Sequence, residues 1–313
     1  MAHQLLITGA NGFIGGNVLA AALTRPGLGI RVTRHRGSVA VPGQGRVQVT
    51  RADLADASSV PGLCRGIDAV VHCASRIGGD GASLHAVNDE GTKALLADAQ
   101  RHGVRRFVYV STAAVYGRGP FRRAGSRTLP VRPHSATSRT RAAAEQHVLA
   151  AGGTVLRPHL VYGTGDRWVV PGLAFMMRQL GAEVACSSLH SAVEVTALAG
   201  AALAAALSDG ETAGVHDVNH PRPVRACELA AVALHCLEPA ITVRVGADAA
   251  RERLADNPQA LHHLDMLTTD HWFLSSATWR LLGRDPGPAP SQDLARHLPW
   301  YRHYLSSPAT AGR

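Results

Sequence analysis

Short apolar runs alternate with longer amphipathic segments along the first half of the chain. The short runs predict β-strands, and the segments with an apolar residue every three or four positions predict α-helices. The predicted strands are Gln4–Thr8, Ile30–Thr33, Val47–Thr50, Ala69–His72, Phe107–Ser111 and Thr154–Leu156. The predicted helices between them are Gly12–Leu23, Glu90–His102 and Thr137–Ala151. This alternation favours an α/β fold with a doubly wound parallel sheet, because right-handed crossovers place helices on both faces.

The pattern changes after residue 163. We predict helices over Pro171–Leu180 and Val195–Leu207, and a strand over Gly214–Asn219. The stretch 193–219 is expected to return to the parallel sheet. Residues 164–192 and 220–313 are expected to form a smaller lobe, since 220–313 is richer in His, Trp and Pro.

Three glycines, Gly9, Gly12 and Gly15, follow the first predicted strand and lead into the first predicted helix. Glycine allows a tight turn, lets the backbone approach a pyrophosphate, and permits close packing of helix on strand. Backbone N–H groups at the helix N-terminus then meet the anion. The spacing therefore predicts a dinucleotide-binding Rossmann domain over 1–163 and 193–219, with the smaller C-terminal lobe binding the substrate.

The second predicted strand runs into a basic sequence, Thr33-Arg34-His35-Arg36. A chain that binds NAD usually carries an acidic residue here for the adenosine ribose, whereas guanidinium groups pair with a 2′-phosphate. We therefore expect NADP(H) as the cofactor, with Arg34 and Arg36 holding the phosphate.

Several segments together resemble the extended short-chain dehydrogenase/reductase superfamily, which holds nucleotide-sugar epimerases and dehydratases. The segments are Thr8–Gly15, Asp53-Leu54, His72–Ser75, Asn88–Thr92, Tyr109–Gly117 and Arg157–Gly163. The resemblance implies cofactor contacts from Gly9, Asn11, Gly12, Phe13, Ile14, Gly15, Asp53, Leu54, Cys73, Ala74, Ser75, Asn88, Ser111, Arg141, Pro158, His159 and Leu160. It also implies a homodimer through the helices near 90–102 and 137–151, with a monomer as the alternative.

The chain departs from this superfamily at the catalytic Tyr and Lys. Members use a Ser or Thr together with a Tyr-x-x-x-Lys helix, in which the Tyr exchanges the proton and the Lys lowers its pKa. Thr112 takes the Ser/Thr position. Anchoring on Glu145 places Thr137 at the Tyr position and Arg141 at the Lys position, and residues 117–161 contain neither Tyr nor Lys.

Three functions remain open. The favoured one is an NADPH-dependent ketoreductase for an aromatic polyketide-type ketone, resembling atypical antibiotic-tailoring members of the simocyclinone type that lack the Tyr/Lys pair. A phenol or enol of the substrate would protonate its own alkoxide, with Thr112 bonding the carbonyl oxygen and Tyr116 assisting. The second is a nucleotide-sugar epimerase, dehydratase or reductase whose displaced base is Tyr116, His159 or His190. The third is a non-catalytic NADP(H)-binding sensor or scaffold.

The segment 117–133 surrounds Phe121 with basic residues. These residues are Arg118, Arg122, Arg123, Arg127 and Arg132. The segment falls where a substrate loop is expected. Charge and stacking would let it grip an anionic or planar aromatic substrate. A solvated loop without a ligand is the alternative.

The net charge of +9 does not by itself indicate a nucleic-acid partner, because the basic residues are spread widely along the chain. A small-molecule substrate is expected instead, with no nucleic acid and no membrane as partner. No apolar run is long enough for a membrane span, and residues 1–24 lack the basic start of a signal peptide. The five cysteines form no C-x-x-C pair. We therefore expect a cytoplasmic protein with free thiols.

Histidine spacing gives no indication of a metal site. His216 and His220 fall on a predicted strand and turn, so their side chains are not expected to share a face. His262-His263 lacks a matching third ligand. The sequence alone therefore predicts no bound metal.

Overall fold

The computed structural model describes residues 3–35, 45–126, 128–237 and 240–307. The strands are β1 (Gln4–Thr8), β2 (Gly29–Arg34), β3 (Val47–Arg51), β4 (Ala69–His72), β5 (Arg106–Val110), β6 (Phe121–Ala124), β7 (Thr154–Arg157), β8 (Leu160–Tyr162), β9 (Glu183–Val184), β10 (Leu189–His190), β11 (Ala192–Glu194), β12 (Gly214–Asp217), β13 (Val224–Arg225), β14 (Arg244–Val245) and β15 (His271–Phe273).

Helices connect these strands along the whole described chain. They are α1 (Phe13–Leu23), α2 (Gly81–Leu84), α3 (Gly91–Arg101), α4 (Ala136–Ala150), α5 (Val169–Leu180), α6 (Val195–Leu207), α7 (Ala226–Leu234), α8 (Ala247–Arg253), α9 (Pro258–Thr268), α10 (Ser276–Leu281), α11 (Pro290–Asp293) and α12 (Leu298–Ser306). A π-helical turn, His85–Glu90, joins α2 to α3. None of the helices described is both long enough and apolar enough to cross a membrane.

Within the described residues, seven parallel strands form the main sheet, in the order β3-β2-β1-β4-β5-β7-β12. In register, Leu6 of β1 lies opposite Val70 of β4, and Val71 lies opposite Val108 of β5. The β4 strand is buried along its whole length, which explains its unbroken apolar run.

Helices cover both faces of this sheet. On one face, α1 and α6 pack in a cluster that includes Val18 and Leu203. On the other face, α3 and α4 pack in a second cluster, to which they contribute Leu95 and Val148. The prediction of a doubly wound Rossmann sheet is therefore confirmed. The predicted helices and strands lie within two residues of the observed bounds.

The rest of the chain forms a third apolar cluster around α5, α7 and α9 and a second sheet in the order β13-β10-β15-β6. The β6 strand comes from the segment between β5 and α4, so the first half of the chain contributes to this second sheet. In the opposite direction, Trp279 of α10 packs with α1 and α6 and donates from Nε1 to the carbonyl oxygen of Asn219. The chain thus crosses between the two parts more than once.

Candidate functional site

The site lies where β1, β4, β5 and β7 end. Because these strands are parallel, the segments that follow them meet at one edge of the sheet. Those segments are 9–12, 73–75, 111–112 and 158–160. The edge therefore brings together residues that the sequence places far apart.

Close backbone contacts shape the glycine loop. Gly9 has φ +70, and a Cβ there would lie 2.7 Å from the backbone nitrogen of Ala74. A Cβ on Gly15 would lie 2.2 Å from the carbonyl oxygen of Gly9. Gly12 precedes α1, and being a glycine it has no side chain that could cap the first turn. This concave loop with uncapped N–H groups fits a dinucleotide pyrophosphate. The remaining loop residues are Asn11, which is exposed, and Phe13 and Ile14, which are half-buried.

Positive charge collects where β2 and β3 end. Arg34 is exposed and lies opposite Arg51 in the strand register. His35 and Asp53 approach within 3.0 Å between Nε2 and Oδ2. Arg36, the other arginine predicted to hold a 2′-phosphate, lies outside the described residues.

Buried polar groups support the loop after β4. His72 is fully buried, with Nδ1 2.6 Å from Thr8 Oγ1 and Nε2 2.9 Å from Thr92 Oγ1. Thr8 Oγ1 also accepts hydrogen bonds from the backbone nitrogens of Cys73 and Ala74, both at 3.2 Å. Burial lowers the pKa of His72 to about 3, so its ring is neutral at physiological pH. The network fixes residues 73–74 against the glycine loop.

Asn88 fixes the next part of this loop. Its Oδ1 accepts from the backbone nitrogen of Arg76 at 2.7 Å and from Ser75 Oγ at 3.1 Å. Its Nδ2 donates to the carbonyl oxygen of Arg76 and to Thr140 Oγ1, both at 3.0 Å. The superfamily resemblance implies that Asn88 contacts the cofactor. In the structure, both polar atoms of its side chain are engaged by the protein and brace the loop against α4.

Two other residues predicted to contact the cofactor, Leu54 and Ser111, are buried. Leu54 is buried, and a Cβ on Gly91 would come within 2.5 Å of its carbonyl oxygen. Ser111 is also buried, and its Oγ has no hydrogen-bond partner among the described residues.

Thr137 and Arg141 occupy the first turns of α4. Thr137 Oγ1 accepts from the backbone nitrogen of Gly78 at 3.4 Å. Arg141 donates from Nη2 to the carbonyl oxygen of Val110 at 2.6 Å, while its buried Nε has no partner in the described structure. The two residues that the sequence predicts at the Tyr and Lys positions are thus a hydroxyl directed at a loop and a guanidinium directed at β5.

A cavity of about 510 Å³ opens beside Thr112. It is lined by Thr112, Ala113, Ala114, Gly117, Arg118, Gly119, His159, Leu160, Arg251, His262, Asp265, Met266, Thr269 and His271. Thr112 Oγ1 accepts from the backbone nitrogen of Ala114 at 3.2 Å, which leaves its own proton free to donate. Pro158, also predicted to contact the cofactor, is buried beside the lining residues.

The position of Tyr116 argues against the assisting role in catalysis that the sequence predicts for it. The side chain is 3% exposed, is absent from the cavity lining, and donates to Asp217 Oδ1 at 2.8 Å. The Arg157 guanidinium lies 4.8 Å from its ring centre and also pairs with buried Glu145. Burial and the neighbouring Asp217 raise the pKa of Tyr116, which makes it a weaker acid.

The arginine-rich segment is largely tied to the second sheet. Arg122 forms an ion pair with Asp270. The Arg123 guanidinium lies 5.6 Å from the ring centre of Trp272. Arg127 lies outside the described residues. These contacts explain why only the start of the segment reaches the cavity.

Three histidines meet beside the cavity, although their spacing in the sequence does not indicate it. His159 follows β7, whereas His190 and His271 lie opposite each other in β10 and β15. Their ring centres are 5.0 to 6.1 Å apart. Histidine spacing reveals only neighbours along the chain, and these three come from separate segments that the second sheet brings together.

Comparison with known proteins identifies the family. A family model described as the NAD dependent epimerase/dehydratase family matches residues 5–190. The 2-alkyl-3-oxoalkanoate reductase of Stenotrophomonas maltophilia (strain K279a) is 31% identical, with 94% of this chain and 98% of the relative covered.

A second relative and a solved structure are also similar. The 4-hydroxy-2-methyl-3-oxo-4-farnesyl-3,4-dihydroquinoline-1-oxide ketoreductase of Stigmatella aurantiaca is 32% identical, over 56% of this chain and 55% of the relative. The crystal structure of the Bordetella bronchiseptica enzyme WbmH in complex with NAD+ matches with a TM-score of 0.76 and 19% identity, covering 97% of this chain and 99% of that one. The chain belongs to the NAD dependent epimerase/dehydratase family, and as a member it is an NAD(P)-dependent oxidoreductase.

Proposed function

We propose that the protein is an NADPH-dependent ketoreductase that acts on an aromatic, polyketide-type ketone. The observation that carries this proposal is the cavity beside Thr112, which has a hydroxyl donor but no tyrosine among the described residues that line it. A ketone whose own phenol or enol supplies the proton suits such a site. The resemblance to antibiotic-tailoring members extends the proposal to antibiotic biosynthesis.

The names of two relatives support ketone reduction. The S. maltophilia protein is a 3-oxoalkanoate reductase, and the S. aurantiaca protein is a ketoreductase for a farnesylated dihydroquinoline oxide. Both names describe the reduction of a molecule that carries a 3-oxo group. The cavity described here has apolar walls at Ala113, Leu160 and Met266 and a basic residue at Arg118. That combination suits a planar apolar substrate with an acidic hydroxyl.

Each group at the proposed site has a distinct role in the reduction. A dinucleotide held by the glycine loop at Gly9, Gly12 and Gly15 would supply the hydride for the carbonyl carbon. Thr112 donates to the carbonyl oxygen and stabilises the negative charge that forms there. The neighbouring phenol or enol of the substrate gives its proton to that oxygen, and solvent restores the proton afterwards. The buried Tyr116 takes no part in these steps.

The preference for NADP(H) rests on charge where β2 and β3 end. Arg34 and Arg51 lie opposite each other in register, so their side chains project from the same face of the sheet. Two guanidinium groups there favour a 2′-phosphate over a bare ribose. We extend the proposed site to the loop residues predicted from the sequence and to Arg141, whose buried Nε has no hydrogen-bond partner among the described residues.

Location and assembly complete the proposal. All five cysteines are free thiols in the structure, which suits the reducing cytoplasm. A homodimer through α3 and α4 is proposed from the superfamily resemblance, and light scattering tests it directly. We also propose that the chain divides into a cofactor domain (1–163 and 193–219) and a substrate lobe (164–192 and 220–313). The β6 strand belongs to the first range but pairs with β15 in the second sheet.

The decisive experiment compares two matched substrates. Loss of NADPH absorbance is followed with a polyphenolic ketone and with the same ketone after methylation of the phenol beside the carbonyl. We expect turnover of the phenol and a rate at least 10²-fold lower for the methyl ether, the typical contribution of a general acid. Thr112→Ala should lower kcat by about 10²-fold, as for loss of one oxyanion donor. The exposed Thr128→Ala is the matched control.

Two outcomes would overturn the proposal. Firm NADPH binding without turnover of any ketone would instead indicate a cofactor sensor. Equal rates for the phenol and its methyl ether would show that the substrate does not supply the proton.

A further inference from the structure

The histidines beside the cavity form a compact three-nitrogen cluster. One ring nitrogen from each of His159, His190 and His271 lies within 4.8 Å of the other two. The ring centres are 5.0 Å apart for His159 and His271, and 6.1 Å for the other two pairs. Imidazoles that share one ion at a Zn–N distance of about 2.0 Å have ring centres about 5 Å apart, since each centre lies about 1 Å beyond its nitrogen. The His159–His271 pair already has that spacing, and the two pairs at 6.1 Å would have to contract by about 1 Å to reach it.

Hydrogen bonds determine which ring nitrogen carries the proton in two of the three histidines. Ser188 Oγ donates to the carbonyl oxygen of Leu267, so the same hydroxyl oxygen accepts from His190 Nε2 at 3.0 Å. His271 donates from Nδ1 to the carbonyl oxygen of Thr269 at 2.8 Å. The opposite nitrogens, His190 Nδ1 and His271 Nε2, are therefore left as lone pairs. Metal-binding histidines characteristically donate their other N–H to a carbonyl or a similar acceptor in this way.

Two ring nitrogens of the cluster lack hydrogen-bond partners. His159 Nε2 and His190 Nδ1 are buried, and neither has a hydrogen-bond partner among the described residues. Buried polar atoms are normally satisfied, so two in one cluster call for a ligand. Burial, reinforced by the neighbouring histidines, lowers the pKa of His159, and it lowers that of His190 to about 4. Burial also lowers the pKa of His271. All three rings are thus neutral near pH 7, the form that binds metals.

We propose that His159, His190 and His271 form a binding site for a divalent transition-metal ion, with Zn²⁺ the best match. Three neutral imidazoles without a carboxylate favour Zn²⁺ over Mg²⁺ or Ca²⁺, which prefer oxygen ligands. Three protein ligands leave the fourth position to water or to an oxygen of a small molecule. His159 and His271 line the same cavity as Thr112, so that position is within the cavity region.

The metal site does not depend on the proposed ketone reduction. A Lewis-acid role in polarising the substrate carbonyl would rest on that function. Ion binding to the three histidines would not, so it is tested without cofactor or substrate. A failure of one proposal therefore leaves the other standing.

The test titrates chelator-treated full-length protein with Zn²⁺ by calorimetry and with Co²⁺ by visible absorption. We expect one ion per chain, an intense four-coordinate Co²⁺ spectrum, and affinity that falls as the pH drops because protons compete for the nitrogens. His190→Asn and His271→Gln should each weaken binding at least 100-fold. His262→Gln removes a histidine that lines the same cavity outside the cluster, and it should bind as the wild type does.

A second group, formed by exposed His85 and Glu90 and buried Asp89, also has metal-binding side chains close together. His85→Gln should therefore leave the Co²⁺ spectrum unchanged. The proposal fails if His85→Gln abolishes binding, if the cluster variants bind normally, or if no saturable binding occurs. If His190→Asn folds poorly, two other tests decide the question. One is the His271→Gln variant, since His271 is only half-buried. The other is X-ray absorption of the wild type, which should show three nitrogen ligands at about 2.0 Å from the ion.

Discussion

Arg141 donates a hydrogen bond of 2.6 Å from Nη2 to the carbonyl oxygen of Val110, the last residue of β5. The guanidinium thus ties α4 to the sheet just before Ser111 and Thr112. The alignment anchored on Glu145 predicts that this position corresponds to the superfamily lysine, which lowers the pKa of a tyrosine. Here Thr137 offers no phenol whose pKa could be lowered, so Arg141 serves the backbone of β5.

Rebuilding the missing pair should change which ketones are reduced. The double variant Thr137→Tyr/Arg141→Lys supplies a phenol and an ammonium four residues apart on α4, so reduction of ketones without a phenol should rise at least tenfold. Thr137→Phe/Arg141→Lys is the matched control, since it adds the ring without the hydroxyl. Steady-state rates with the methylated ketone measure the effect. Equal rates for the two double variants would show that a proton donor is not what limits the site.

Arg34→Glu should reverse the choice of cofactor. The carboxylate repels a 2′-phosphate and accepts hydrogen bonds from an unmodified ribose. NADPH affinity should fall by about 10- to 100-fold, the range for loss of a charged hydrogen bond, while NADH affinity should hold or improve. Fluorescence titration with both cofactors gives the ratio. Tighter binding of NADH than NADPH by the wild type would already contradict the NADP(H) proposal.

Gly15→Ala should disrupt the glycine loop. The new methyl would lie 2.2 Å from the carbonyl oxygen of Gly9, so the backbone must shift. Overpacking of this kind costs about 1–3 kcal/mol and should lower both the Tm and the dinucleotide affinity. Gly16→Ala is a graded control, because its Cβ would lie 3.2 Å from the carbonyl oxygen of Ala10. Normal NADPH binding by the Gly15→Ala variant would show that the close packing of helix and strand is dispensable.

Asp217 should make stability depend on pH. Burial raises its pKa to about 6, whereas an Asp in the unfolded chain titrates near 3.9, so the folded state holds the proton more tightly. The stability contributed by this proton is complete below about pH 4 and is lost as the pH rises through 6. The side chain of the Asp217→Asn variant cannot ionise. As the pH rises from 4 to 7, the free energy of unfolding of this variant should therefore increase by about 1–3 kcal/mol relative to that of the wild type. Denaturant melts across this range measure the difference, and parallel curves would refute it.

The sequence predicts the main sheet well because each of its elements carries its own pattern. The predicted α6 helix has the observed bounds. The β4 strand is recognisable from the apolar run Ala69-Val70-Val71 followed by His72. The second sheet is not predicted. Strands such as β10 and β13 span two residues each, too short to show any alternation, and their partners lie far away in the chain.

The site is partly predictable for the same reason. Gly9 and Thr112 belong to local motifs, and the spacing of such motifs can be recognised in a single sequence. The direction of Tyr116 is set by Asp217 and Phe273, which the chain reaches about a hundred residues or more later. The meeting of His190 with His271 likewise depends on strand pairing. No local pattern records such contacts.

Because β6 pairs with β15, the second sheet can form only after the parallel sheet has been synthesised. A ribosome that has released the first 220 residues has already made every strand of the parallel sheet. The wall formed by Arg251, Met266 and His271 is still missing at that moment, and β6 has no partner in register. A nascent chain can therefore acquire its dinucleotide loop early, while the enclosure for a second molecule closes only after residues 251–273 have been made.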